Sequence, residues 1–384
     1  METPTQREGW ILSARERSTV ISPDRQSVYS FDLEGRPLSW FKEGRVYKRS
    51  LASEVHARQR DGGKKRYWIL RPEEAALEFA RVLEQIAGAP SAGSTEETRA
   101  RIAGILRWTP ETLLGEQERF AAAYRPVNIL PPDQYLSIVL QATFGCSWNR
   151  CNFCSFYTNQ PFRTRSPDAF RNHCHAVRKL LGRGASLRKG IFLASGNALM
   201  LHDRRLLPLM RTARETFPDR PIAAFVDVFT GERRDARGWR TLRDEGLDRV
   251  HVGLETGHDE LLRWLNKPGS AEEALQFVST LKSAGLKVAL ILMAGVGGDR
   301  FAEEHVTRTI SLLARLPLER GDRVYLSPFV EQADSEYARR AAGEGVQALD
   351  TEQHERQYVE LRDGIRDARP GVTVARYDLR EFVY

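Results

Sequence analysis

The chain has 384 residues, 41% of them hydrophobic and 28% charged, with a formal net charge of +7. That length holds one large core and a smaller one, and the composition excludes wholesale disorder and fibrous repeats. No apolar stretch reaches the roughly 18 residues of a membrane span, and the first residues lack the apolar centre of a secretory signal, so a cytoplasmic protein is expected.

The positive balance favours an anionic partner. It is carried by 49 arginines against nine lysines, a skew that GC-rich coding also produces, so charge alone does not argue for nucleic acid. Residues 1–71 hold short β-branched and aromatic runs at 18–22, 27–32, 37–41, 45–51 and 66–70 with turn formers between them, which predicts a small antiparallel meander. From Pro72 the spacing of Ala76, Phe79, Ala80, Leu83 and Ile86 predicts a helix, followed by a loop over 88–94. A second helix is expected over 95–106, and a third from the Thr109-Pro110 cap to about Tyr124, with a linker at 126–133.

Beyond the linker, apolar runs at 136–142, 190–194, 222–228, 250–254, 288–293 and 323–329 alternate with amphipathic stretches of helical length. Six strands alternating with helices predict parallel βα units, as an open doubly wound sheet or as a full or partial barrel. In either case the active site lies at the C-terminal ends of the strands. A helix over 351–368 and a short strand near 372–376 follow. The closing residues 376–384, aromatic and charged, are expected to dock on the barrel and help close its substrate cavity.

Three of the four cysteines, Cys146, Cys151 and Cys154, fall within nine residues directly after the first strand of this second regime. Such crowding in a cytosolic chain reads as metal or cluster ligation. Three thiolates from one loop can hold three irons of a [4Fe–4S] cluster and leave the fourth iron open, whereas structural zinc generally takes four protein ligands. Cys174 stands apart on an expected helix opened by Ser166-Pro167, sharing a face with Phe170, Val177 and Leu181, and is assigned to the core.

Over residues 135–329 the sequence resembles the radical S-adenosylmethionine (radical SAM) superfamily. Its usual signature separates three cysteines by three and then two residues; here the gaps are four and two, as in some uncharacterised members, relatives of oxygen-independent coproporphyrinogen oxidases among them. Phe153 matches the position that packs near the adenine. Ser195, Gly196 and Asn197 stand where the family holds the methionine amino group; Glu255 matches the polar contact to ribose or methionine; Gly295 and Gly297 match a glycine-rich turn near the adenine. The resemblance implies a partial (β/α)6 TIM-like barrel at 135–340; the residues before it are read from their own pattern as a mixed α+β accessory domain at 1–134, and those after it as a short extension at 341–384. It also implies a [4Fe–4S] cluster on the three cysteines and S-adenosylmethionine as co-substrate, reductively cleaved to a 5′-deoxyadenosyl radical that abstracts hydrogen from a small-molecule or peptide substrate. Flavodoxin or ferredoxin is the implied reductant.

Asp227 ends the third strand and either contacts substrate or caps a helix. Alternation on the fourth strand puts His251, Gly253 and Glu255 on one face, so His251 is a candidate substrate contact or a hydrogen-bonded interior histidine. Tyr325 on the sixth strand is a further candidate. Basic and aromatic residues interleave over 45–70, a pattern compatible with single-stranded RNA, and the alternatives carried forward are an RNA-modifying radical SAM enzyme and a noncatalytic iron–sulfur or zinc protein.

Overall fold

The structure, a computed structural model, describes residues 5–7, 9–62, 64–90, 94–158 and 160–384, and two large sheets of different kind form among them. The expected loop at 88–94 includes 91–93, outside the described residues.

The first sheet is an antiparallel meander in sequence order: β1 (Thr5–Arg7), β2 (Trp10–Ala14), β3 (Thr19–Ser22), β4 (Val28–Phe31), β5 (Pro37–Lys42), β6 (Arg45–Arg49), β7 (Val55–Asp61) and β8 (Lys64–Ile69). Among these, β1, β2 and β7 are not in the expected set. In β7 only Val55 and Ala57 face the core, too few to register as an apolar run. The helix Pro72–Ala87 covers the inner face, burying Ala75, Phe79, Val82 and Ile86. Phe79 and Ile86 are buried as expected, while Ala75 and Val82 take the places of Ala76, Ala80 and Leu83; Phe79 packs on Trp40, which stacks on Tyr47. The expected third helix is two, Pro110–Leu114 and Glu116–Ala123, broken at Gly115.

The second sheet is parallel throughout, in the order β9 (Ser137–Gln141), β12 (Gly190–Ala194), β13 (Ile222–Val226), β14 (Leu247–Glu255), β15 (Lys287–Ala294), β16 (Arg323–Pro328) and β17 (Thr373–Arg376). The short pair β10 (Thr143–Phe144) and β11 (Arg163–Thr164) stands apart. All six expected strands form. The short strand near 372–376, expected as an extension, is the seventh of the same sheet, since Thr373–Arg376 continues the ladder of β16. Strand order follows chain order with no reversal, which removes the doubly wound alternative. Every residue of β9 and β12 is buried, as a parallel sheet covered by helices requires. The architecture is a partial TIM-like βα barrel.

The chain divides into two compact units: 1–127 with 175–189 and 380–384, and 128–174 with 190–379. The last five residues therefore group with the meander and not with the barrel as expected: Glu381 accepts hydrogen bonds from Lys65 Nζ (2.6 Å) and Tyr67 (2.7 Å). Within the same unit, Arg36 is a buried hub. Its guanidinium donates to Asp32 (2.8 Å), Glu116 (2.8 Å) and the carbonyls of Leu180 (2.8 Å) and Leu181 (2.7 Å). In the barrel unit Cys174 is fully buried, as its helical face predicted. Among the described residues no helix is long and apolar enough to cross a membrane.

Candidate active site

The cysteine loop leaves the sheet through β10 and returns through β11, so its two ends are tied by a ladder at the C-terminal edge of β9. Gly145 opens the loop at φ +68°, and a Cβ there would stand 2.4 Å from the Gln160 carbonyl oxygen. Only glycine fits both the backbone and the space. Inside the loop, the Asn149 side chain donates to the Tyr157 carbonyl (3.0 Å) and Cys154 N–H to Cys151 O (3.2 Å). The rim is clasped by the segment after the helix Asp259–Trp264, whose last carbonyls have no helical partner. Asn152 donates to Trp264 O (2.8 Å) and Leu265 O (3.2 Å), Trp148 to Asn266 O (2.8 Å), and Asn266 in return to Arg150 O (2.7 Å).

The three thiols are partly exposed at this rim. Burial pushes all of them up, Cys151 to about 12 and Cys154 to about 11, with neighbouring thiols and carboxylates adding to the effect. Such thiols ionise when a metal compensates the charge. Among the described residues no three His, Cys, Asp or Glu side chains converge on one ion. Three thiols from one loop match by their chemistry a cubane that takes one sulfur per iron.

Against the loop lie the strand ends expected to bind co-substrate. A Cβ on Gly196 would come within 2.7 Å of Gly145 O and 3.2 Å of Cys146 Cα, so Gly196 is the surface on which the loop rests. Ser195 donates its N–H to Thr143 O (3.1 Å), and its side chain bonds Tyr157. The Asn197 amide donates to Thr230 Oγ1 (2.7 Å) and Asp227 Oδ2 (3.2 Å), while its Oδ1, fully buried, has no partner among the described residues. Asp227 makes no side-chain cap to the short helix Val228–Gly231; its carboxylate faces Asn197 and Lys267 instead.

Lys267 was not legible in the sequence. Its ammonium is buried and donates to Glu255 Oε1 at 2.8 Å, with Asp227 Oδ1 at 3.6 Å. Burial works against this charge, but Glu255 and Asp227 outweigh it and hold the lysine well above its ordinary value, and Cys151 is close enough to contribute. Glu255 adopts φ +63° where the ladder between β14 and β15 slips a residue, a strained backbone of the kind found at ligand sites. A Cβ on Gly253 would sit 2.9 Å from Glu255 Oε1 and 3.2 Å from Lys267 Nζ, so the missing side chain makes the room this ion pair occupies. The only sequence trace of Lys267 is a rare lysine in an arginine-dominated chain.

Phe153 packs on the cluster of Trp264, Met293, Val296 and Tyr337, which brings it to the glycine turn 295–298. The turn's amides, expected to be free for a ligand, are taken in part: Gly295 N–H donates to Gln357 (2.6 Å) and Gly297 N–H to Tyr337 (2.9 Å). Both glycines have φ near +85° (+88° and +84°), and a Cβ on Gly295 would strike His354 at 2.4 Å. Local packing accounts for them without a ligand. Thr256 is likewise engaged, bonded to His305 Nδ1 at 2.7 Å.

His251 and Tyr325 are brought together elsewhere. His251 Nε2 donates to Asp133 (3.0 Å), and Tyr325 bonds the same carboxylate, with Arg249 (3.3 Å) and Arg323 (3.7 Å) beside it. Asp133 precedes β9, and Arg249 and Arg323 lie in the opening turns of their strands, so this network sits toward the N-terminal end of the barrel. Burial opposes the Asp133 charge, but the hydrogen bond from His251 and the positive Arg249 hold it well below the usual carboxylate range. Burial pushes His251 down against that hydrogen bond, so it is a neutral interior histidine.

Residues 140–313 match the family model described as the radical SAM superfamily. Over this stretch the chain is similar to the radical SAM superfamily. The family uses a [4Fe–4S] cluster and S-adenosylmethionine. Solved structures similar to this chain include coproporphyrinogen III oxidase HemN of Escherichia coli, a radical SAM enzyme, at 16% identity and TM-score 0.47, covering 66% of this chain and 56% of that one. Methylornithine synthase PylB, at 16% identity and TM-score 0.40, covers 62% and 70%. The radical SAM methyltransferase TsrM of Kitasatospora setae, solved with cobalamin and a [4Fe–4S] cluster bound, is 15% identical at TM-score 0.42 over 59% and 45%. The chain thus spans little more than half the length of HemN. No curated protein sequence matches it.

Proposed function

We propose that the protein is a radical SAM enzyme in which Cys146, Cys151 and Cys154 hold a [4Fe–4S] cluster and the adjoining strand ends bind S-adenosylmethionine. The observation that carries this reading is the convergence, within the stretch similar to the radical SAM superfamily, of three cysteines on a braced loop with the buried Asn197, Glu255 and Lys267 and the half-buried Asp227. A cluster held by these cysteines would pass one electron from its reductant to the sulfonium of S-adenosylmethionine, chemistry that leads to hydrogen abstraction from a small-molecule or peptide substrate.

The chain's own residues prepare that chemistry. Gly196 and Tyr157 back the cysteine loop so that its sulfurs keep their spacing. Asn197 Oδ1, an acceptor without a partner among the described residues, suits the ammonium group of the methionine moiety. Lys267 neutralises part of the charge that three thiolates, Glu255 and Asp227 would otherwise concentrate. Phe153 offers an apolar face to the adenine. Flavodoxin or ferredoxin supplies the electron.

Anaerobic reconstitution with iron and sulfide, followed by S-adenosylmethionine and dithionite, tests the proposal. Wild type forms 5′-deoxyadenosine; Cys151→Ala forms none. Iron bound without 5′-deoxyadenosine refutes the enzyme reading, and zinc retained in place of iron refutes the cluster.

A further inference from the structure

The outer face of the meander carries a second feature, independent of the proposed chemistry. Register places two rows side by side across β4 to β8: Val28, Phe41, Val46, Arg58, Tyr67, and then Ser30, Ser39, Lys48, His56, Ile69. The Arg60–Lys65 pair continues this face at the far ends of β7 and β8. The opposite face, with Tyr47, Val55 and Ala57, is the core.

Neither row contains a carboxylate. Among the described residues Lys48, Arg58 and Arg60 form no ion pair, while His56 stands 3.5 Å from Glu54 and Lys65 pairs with Glu381; cations on adjacent strands repel one another. Burial and the neighbouring Arg58 push the Lys48 ammonium down. Large apolar side chains lie open among these charges, with Phe41 40% and Ile69 55% exposed. An oxyanion already occupies one end: Glu381 accepts from both Lys65 and Tyr67, and Arg380 stacks over the Tyr67 ring at 5.7 Å. Lys48, His56, Arg58, Tyr67 and Arg380 line one cleft.

We propose that the outer face of β6 to β8 binds single-stranded nucleic acid, with Lys48, Arg58, Arg60 and Lys65 on phosphates and Tyr67 and Phe41 under bases. Cations without an ion pair at Lys48, Arg58 and Arg60 call for a polyanion, and the exposed Phe41 ring among them calls for one with exposed π-faces; Lys65 and Tyr67 become available when Glu381 and Arg380 give way. A duplex hides its bases, and an acidic peptide has none. Glu381 holds the place of one phosphate and weakens binding.

The test is fluorescence anisotropy of the full chain with labelled single-stranded uridine and thymidine oligonucleotides, duplex DNA and polyglutamate, across a salt series. Four phosphate contacts predict a log–log salt slope of about −2.8 for single strands. Lys48→Ala/Arg58→Ala/Arg60→Ala weakens binding more than about tenfold and removes roughly 2 from the slope. Tyr67→Leu weakens it by about tenfold with the slope unchanged, and Glu381→Gln tightens it. Should the triple variant fail to fold, the opposite responses of Tyr67→Leu and Glu381→Gln still decide. Equal binding by wild type and variants, duplex bound as tightly as single strands, or polyglutamate bound in preference overturns the proposal.

Discussion

Replacing Lys267 with methionine probes the site where its electrostatics concentrate. The ammonium stands 2.8 Å from Glu255 Oε1 and 3.6 Å from Asp227 Oδ1. At an effective dielectric of about 20 these distances correspond to about 6 and about 5 kcal/mol of gross attraction, most of it offset by the cost of burying the three charges. Removing the lysine alone takes away the attraction and leaves two carboxylates uncompensated beside the thiols, so the expected loss is about 3–5 kcal/mol of stability. Adding Glu255→Gln in the same chain removes one orphaned charge and recovers a large part of that loss. Urea unfolding of the metal-free proteins measures both, and iron per chain after reconstitution should fall in Lys267→Met because thiolate formation beside Glu255 and Asp227 becomes harder. A loss under about 1 kcal/mol, or a double variant less stable than the single one, would show that the charges do not interact as the distances require.

Arg36→Leu strands the buried Asp32 and leaves the buried Glu116 with Arg119 alone, and should cost the meander unit about 3–5 kcal/mol by chemical denaturation; an unchanged midpoint contradicts the hub. Gly196→Ala forces a methyl to 2.7 Å from Gly145 O, so iron content should drop with only a modest change in melting temperature, and full iron loading would speak against the loop resting on this residue. The Asp133 and His251 pair sets an acid limit. Both pKa values are depressed in the folded state, so below about pH 6.5 for the histidine and about pH 4 for the aspartate the unfolded chain binds more protons. Stability should therefore fall on acidification from pH 7 to pH 3, and Asp133→Asn should be less stable at pH 7 and flatter through this range; a chain more stable at pH 4 than at pH 7 refutes the assignment.

The barrel strands and the cysteine loop were readable because hydrophobic runs and ligand spacing are local properties of the chain. The rotation of the helix Pro72–Ala87 was not, since Ala75 and Ala76 are equally apolar and only packing against the sheet selects between them. The glycine turn at 295–298 could be read as a ligand cradle until Gln357 and Tyr337, distant in sequence, were seen to occupy its amides. His251 could face a substrate or an interior partner, and Asp133, 118 residues away, made the choice.

By itself, then, the order of residues determined where strands run, where three thiols cluster and where glycine must stand, because backbone preference and burial act over a few neighbouring positions. Tertiary structure alone decided which charges meet: Lys267 with Glu255 and Asp227, Asn197 with Thr230, Arg36 with Glu116. Coulomb energy and hydrogen bonding depend on separation in space, and adjacent parallel strands bring together groups that no local pattern connects.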